Sequence, residues 1–583
     1  MHGELESLNR GRSLPNTPSI TLGLALLVAG CAPQPRAADL VLRGGNIVTL
    51  EEGQPPAQAL AARDGRIVFV GSDENAEVWI GADTEVIDLA GQMAIPGFIE
   101  GHGHFFGIGQ GKLQLDLAGA RTWDEIVEMV AAAAAASAEG QWILGRGWHQ
   151  SKWDGPPEPS VQALPVHASL SAASPANPVL LTHASGHAAF VNAKALELAG
   201  IDRDTPDPPG GEVVKDALGE PTGMLRETAE ELVMSALSRD RDELEWNTAR
   251  RVVELAGEDC LSKGVTSFQD AGSSFELIEI YRRLADEGAL PVRLWVMARA
   301  HNETLASGLA RHRTVGHGKG FLTVRGIKKS IDGALGPHGA WLLEPYTDKP
   351  DTSGLNTTSV EEVEGAARLA LEHDYQLCVH AIGDRANRET LDIFERAFRE
   401  AGVEGRSLRW RIEHAQHLHP QDIPRFASLG VIASMQGVHA TSDGPWVPSR
   451  IGEERAREGA YVWRKLLDAG VRVSNGTDAP VEDVDPLASF RASVYRRMPD
   501  GRQFYPEQSM TRREALESYT IGAARAAFEE DVKGTLAVGK YADVTVLSHD
   551  ILTVPEEELA EARVVYTIVA GRVRYRDEGG TSE

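Results

Sequence analysis

His102 and His104 flank a single glycine at the end of the run AIPGFIEGHGH, residues 94–104. The apolar residues before them read as a buried strand. On a strand, residues i and i+2 share a face, so both imidazoles can reach one metal ion. Alone the pair is a weak signal, because histidines two apart also occur on surfaces and in cores. Three further candidate ligands strengthen it: His380 in VHAIGD, His414 in IEHAQH and Asp478 in NGTDAP each close an apolar run of their own. Singly, His380 and His414 read as satisfied core histidines and Asp478 as a helix cap or loop carboxylate. Together they form an imidazole and carboxylate donor set that suits one or two zinc ions, with manganese the alternative. A catalytic site of this kind keeps one position for water.

These residues need a frame that brings their strand ends together. Strand-like runs recur at 264–271, 292–299, 322–332, 376–384, 408–416, 430–436 and 471–479, making eight with the histidine-bearing one. Helical periodicity fills the segments between them, as in VEEVEGAARLALEHD. Strand and helix alternating eight times imply an α/β fold, a parallel (β/α)8 TIM barrel, whose chemistry sits at the C-terminal strand ends. His102, His104, Lys328, Asp332, His380, His414 and Asp478 all fall there. Residues 93–533 are assigned to this barrel. Two β-rich segments, 38–92 and 534–580, suggest one small β-sandwich built from both ends of the chain. Residues 105–245 are too many for a simple connection between strands one and two. They read as an inserted α+β subdomain that leaves from the active-site face and caps the pocket.

The chain has 583 residues, 42% hydrophobic and 25% charged, ordinary for a soluble globular protein of more than one domain. A formal charge of −27 excludes nucleic acid as a partner, since nothing would neutralise phosphates, and leaves a small-molecule substrate. Near the N-terminus the apolar stretch Ile20 to Ala29 follows Arg10 and Arg12. It is shorter than the roughly 20 residues that span a bilayer and has the layout of a secretory signal. Its end, Leu27-Val28-Ala29-Gly30-Cys31, resembles the bacterial lipobox. That resemblance implies that residues 1–30 are a lipoprotein signal peptide, that Cys31 carries lipid, and that the protein is an outer-membrane lipoprotein facing the periplasm. A plain secretory signal is the alternative. Cys260 and Cys378 are expected as buried free thiols.

The blocks PGFIEGHGH, GWHQSKWDG, SGHAAFVNAKALELAGI, IKKSIDGALG, VHAIGDRAN, IEHAQH, NGTDAPVEDVDP and GKYADVTVL extend from one end of the chain to the other. Together they resemble the amidohydrolase superfamily, and within it the amidohydrolase 3 group of N-substituted formamide deformylase-like and exoenzyme-regulation-like enzymes. Glu100-Gly101 departs from the superfamily's common Asp-Ser. The resemblance implies a metal-dependent hydrolase of a carbon–nitrogen bond other than a peptide bond, such as that of an N-formyl or N-acyl amine. It also implies that Lys328 carries a CO2-derived carbamate bridging two metals, against the alternative of an ordinary lysine paired with a carboxylate; Lys329 would point to the other face. A divalent ion lowers the pKa of its water towards neutrality. Asp478 is expected to take the water's proton and deliver it to the leaving amine. A deaminase or lactonase on the same scaffold, and a periplasmic binding lipoprotein without catalysis, are the rival readings.

On the substrate side, Trp148 and Trp153 are expected either as an aromatic wall over the pocket or as core of the insert. His187 is as much a candidate pocket residue as a packed histidine. Arg385, beside Asp384, meets a polar substrate group or orders its loop. Gln436 and His439, after strand seven, are candidate substrate contacts.

Overall fold

In a computed structural model, which describes residues 36–239 and 246–578, eight apolar runs form eight parallel strands. They are β1 (Phe98–Gly103), β2 (Val265–Ser273), β3 (Arg293–Ala298), β4 (Leu322–Ser330), β5 (Gln376–Ala381), β6 (Arg411–His414), β7 (Ile432–Gln436) and β8 (Val473–Gly476). Each pairs with the next in chain order, and β8 returns beside β1. At that seam the backbones nearly touch. The Asp478 N–H donates to the His102 carbonyl at 2.8 Å, and Thr477 N–H donates to Glu100 Oε1 at 2.6 Å. Gly101 and Gly476 make the approach possible. A Cβ on Gly101 would lie 2.4 Å from Asn475 O, and one on Gly476 2.7 Å from His102 N.

The helices between the strands follow from apolar spacing. Val360–His373 buries Val363, Ala366, Ala367 and Ala370, one stripe at helical period, and Ser359 caps its start through the Glu362 N–H. Asp384–Ala401 lays Leu391, Phe394 and Phe398 inward and stops at Gly402 in the left-handed conformation. Inside the barrel the side chains are not all apolar. Arg411 and Glu413 are fully buried among Gln269, Trp295, Met297 and Cys378.

Two further sheets flank the barrel, and strands from the two ends of the chain mix in the second of them. One contains Leu40–Arg43, Ala59–Arg63, Arg66–Gly71 and Glu85–Asp88; the other contains Asn46–Ile47, Met93–Pro96, Val544–Leu547, Val564–Val569 and Arg572–Arg576. They share a core of Leu42, Leu60, Ile87, Val544, Val546 and Ile568. The sheets hold the barrel at the N-terminal ends of its strands. Arg293, the first residue of β3, makes two hydrogen bonds to the buried Asp543 carboxylate, at 2.7 and 3.1 Å.

A third sheet of six strands, Leu115–Asp116, Ile143–Trp148, Val179–His183, Ala188–Val191, Gly211–Lys215 and Pro221–Glu227, lies in the connection from β1 to β2. This segment leaves directly after His104 with the helix Phe105–Gly111, which packs against Trp246–Ser262. Its last strand ends in Glu227, whose side chain wedges between Gly333 and Gly339 after β4. A Cβ on either glycine would meet Glu227 Oε1, at 2.0 and 2.1 Å. Cys260 and Cys378 are buried and unpaired. Cys31 and residues 1–30 lie outside the described residues, among which no helix is long and apolar enough to cross a membrane.

Candidate metal centre and active site

His102 is the last inward-facing residue of β1 and is wholly buried. Its Nδ1 lies 2.5 Å from Glu413 Oε2, which fixes the ring and leaves Nε2 free to bind. Arg411 stands 3.0 Å from the other Glu413 oxygen. Burial opposes the carboxylate's charge, but Arg411 and His102 outweigh it and hold Glu413 well below the usual carboxylate range.

Around His102 Nε2 the remaining candidates converge. Asp478 Oδ1 is 3.4 Å from His102 Nε2 and 3.2 Å from His104 Nε2, yet it accepts no properly aligned hydrogen bond. His380 Nε2, likewise buried, has no hydrogen-bond partner and stands 3.5 Å from Asp332 Oδ1. The His414 ring packs 4.7 Å from that of His102 and 4.4 Å from that of His380. Its Nδ1 bonds Gln436 Oε1 at 2.9 Å, so an amide oxygen orients this ring as a carboxylate orients His102. Burial pushes His380 and His414 well below the ordinary histidine value and His104 down to about 4, keeping their lone pairs available. Buried nitrogen and oxygen donors that face one another without bonding one another fit a divalent cation. One set, His102, His104 and Asp478, has its ligand atoms within 4.8 Å of one another; a second is His414, His439 and Asp478.

Lys328, inward on β4, places Nζ 3.4 Å from His102 Nε2. Desolvation lowers its pKa to about 8, so more of it is the neutral amine that can react with CO2. Lys329 points away and binds Glu362 at 2.9 Å on the helix outside the barrel.

Two of these candidate ligands sit on strained backbone. His414 and Asp478 have φ of 76° and 60°, a region that costs side-chain-bearing residues on the order of 1–3 kcal/mol. At His414 the turn has a visible effect: Glu413 and His414 are consecutive, yet both face the site, which a regular strand forbids.

The substrate-side candidates divide. His187 borders the pocket, donates from Nδ1 to the buried Glu227 at 2.8 Å and lies 5.1 Å from the His380 ring. His439 borders a second, adjoining pocket; its Nδ1 meets the Gln416 amide at 3.0 Å and its Nε2 is buried and unpartnered. Gln436 serves His414. Trp148 and Trp153 form no wall over the pocket. They stack on each other at 5.8 Å inside the core of the insert, between its sheet and the helix Trp123–Ala136, where the Trp148 indole N–H donates to Leu181 O. Arg385 also stays outside the pocket; its guanidinium lies over the Trp341 ring. His183 packs edge-on against Trp148.

Sequence reasoning missed several residues. Glu413 was hidden by its position beside His414. Asp332 is placed at the strand-four end by the sequence, but its role is not: it accepts backbone N–H groups of Trp341, Ile382 and Gly383 and so ties the end of β4 to the loop after β5. Asp270, at the end of β2, accepts the Phe105 N–H next to His104. Only the conjunction of a carboxylate with a strand end could have pointed to Asp270.

The chain is similar to several known proteins. The family model described as "Amidohydrolase family" matches residues 85–575. The chain is 33% identical over 551 residues to Protein LONG AFTER FAR-RED 3 of Arabidopsis thaliana, covering 92% of each. It is 30% identical over 547 residues to an N-substituted formamide deformylase of Arthrobacter pascens, covering 93% of this chain and 99% of that one. The crystal structure of a metal-dependent hydrolase from Pyrococcus horikoshii superimposes with a TM-score of 0.71 at 27% identity, over 89% of this chain and 99% of the other.

Proposed function

We propose that this chain, which belongs to the amidohydrolase family and is a metal-dependent hydrolase, cleaves a carbon–nitrogen bond outside peptides, in an amide of the N-formyl or N-acyl amine kind. The observation that carries this reading is the position of Asp478. Its Oδ1 lies between the Nε2 atoms of His102 and His104 with no hydrogen bond of its own, at the C-terminal mouth of the barrel.

His102, His104, His380, His414 and Asp478 would hold the metal, zinc being the ion their donor types suit best. When bound, a divalent cation supplies an activated water and polarises the substrate carbonyl. The protein's own part is positional. Glu413 and Gln436 fix two imidazole rings, and Asp478, reachable from the cavity, accepts a proton from water and returns it to the departing amine. Lys328 fits a carbamate that would join two ions, since its amine is buried, partly neutral and beside His102. The Val-Ala-Gly-Cys run ending at Cys31 supports a lipoprotein of the bacterial envelope.

The test is a metal count on purified protein combined with turnover of an amide panel, with and without chelator. Metal-replete protein should hydrolyse at least one amide, and chelation should abolish this. Hydrolysis only of lactones, or release of ammonia only from amino-heterocycles, would transfer the reading to those reactions.

A further inference from the structure

The reacting groups open onto two chambers. The larger, 470 Å³, contains His104, Lys328 and His380; the smaller, 170 Å³, is bounded by His439. His187, His414 and Asp478 border both, so the proton-carrying carboxylate stands on the seam between them.

The chambers differ in chemistry. Leu335, Pro337, Ile382 and Trp446 form an apolar wall of the smaller one, whose remaining lining includes Lys152, Asp443 and Glu482. The larger contains two guanidinium groups. Arg146 makes only long bonds to the carbonyls of Pro480 and Ala184, at 3.4 and 3.3 Å. Arg299 follows β3 and borders the chamber as an exposed residue, and among the described residues no hydrogen bond or ion pair to its guanidinium is found. Both arginines are close to the chemistry. Arg146 reaches Pro480, two residues from Asp478. The Arg299 side chain runs beside that of Lys328: a Cβ on Gly272 would lie 2.9 Å from Arg299 Cδ and 3.5 Å from Lys328 Cγ. Glu230 and Glu231 also border this chamber, from the helix Glu230–Arg239; their charges act on Arg146 and Arg299 respectively without closing an ion pair with either. A guanidinium with unused donors in a cavity is a site for a carboxylate.

We propose that the substrate is a secondary amide with a substantial group on each side of the scissile bond: an apolar group in the chamber at Trp446 and a carboxylate in the larger chamber, met by Arg299 and Arg146. This rests on the hydrolase reading and narrows it. A formamide carries only hydrogen on its carbonyl carbon and would leave one chamber unfilled. In hydrolysis water adds to the carbonyl, the C–N bond breaks, and the water's proton leaves with the amine, giving an acid and an amine.

The experiment measures kcat/KM of metal-replete, full-length protein on N-(phenylacetyl)glycine and N-benzylsuccinamic acid, which place the carboxylate on the amine and acyl sides respectively. Their uncharged counterparts, N-propyl phenylacetamide and N-benzylpentanamide, and N-formylbenzylamine complete the set. At least one carboxylate-bearing amide should exceed both its counterpart and the formamide by about tenfold or more, the size of a charge-assisted hydrogen bond. In Arg299→Met or Arg146→Met, with metal content verified, that ratio should fall by a similar factor. A formamide preferred over every two-sided amide, no gain from the carboxylate, or a gain that neither arginine variant reduces would overturn the inference and leave the hydrolase reading standing. If no amide is turned over, the amide reading falls and the inference with it.

Discussion

Glu413 Oε2 lies 2.5 Å from His102 Nδ1, and neither side chain has any exposed surface. The carboxylate is held in turn by Arg411, so one buried chain of charge sets the direction in which His102 presents Nε2. Partners of this kind orient a metal ligand and raise its basicity; losing one typically costs about 10–100-fold in metal affinity. Glu413→Gln keeps the volume and a hydrogen-bond acceptor but removes the charge. Competition with a chromogenic chelator should show affinity lower by that range, and unchanged affinity would mean that His102 is oriented by packing alone.

Lys328→Ala tests the bridge. The variant should bind one ion or none and lose most activity. Short carboxylates such as acetate or propionate, which can occupy the place of a carbamate, should restore part of both. A variant that retains two ions and full rate removes Lys328 from the centre.

The strand ends were legible because a parallel barrel leaves a plain trace: an apolar run, then a chemically distinctive residue, eight times. His380, His414 and Asp478 could therefore be listed as candidates before any coordinate. Glu413 could not, since alternation assigns it to the face opposite His414, and only the φ of 76° at His414 breaks that rule. Arg146, Arg299 and Glu227 were equally hidden. Their importance depends on which side of the insert faces the barrel mouth, a tertiary fact with no local periodicity. The tryptophans show the converse: an aromatic cluster fits a core and a pocket wall equally well by composition.

Trp153→Ala separates these two roles. Its ring packs on Trp148 and Trp123 within the insert and borders neither chamber. Replacing a buried tryptophan by alanine typically costs about 3–5 kcal/mol. Denaturant unfolding should show a loss of this order, while KM of the folded enzyme changes little. A large rise in KM with unaltered stability would return the ring to the substrate.

Asp478→Asn should separate metal binding from chemistry. The carboxylate lies 3.2 and 3.4 Å from the two histidines of β1, and its backbone N–H closes the barrel seam on His102 O. The amide is nearly isosteric, leaves that seam intact and still offers an oxygen, while the histidines supply the remaining donors. Metal content should therefore remain close to that of the parent protein. What the amide cannot do is accept a proton at neutral pH. Loss of a positioned general base typically costs about 10²–10⁴-fold in rate. Because the interaction is used in the transition state, the deficit should appear in kcat with little change in KM. Should full metal accompany near-normal kcat, another group carries the proton. His439 is the first to examine, since its buried Nε2 has no partner and one of its ring nitrogens lies within 4.8 Å of the ligand atoms of His414 and Asp478.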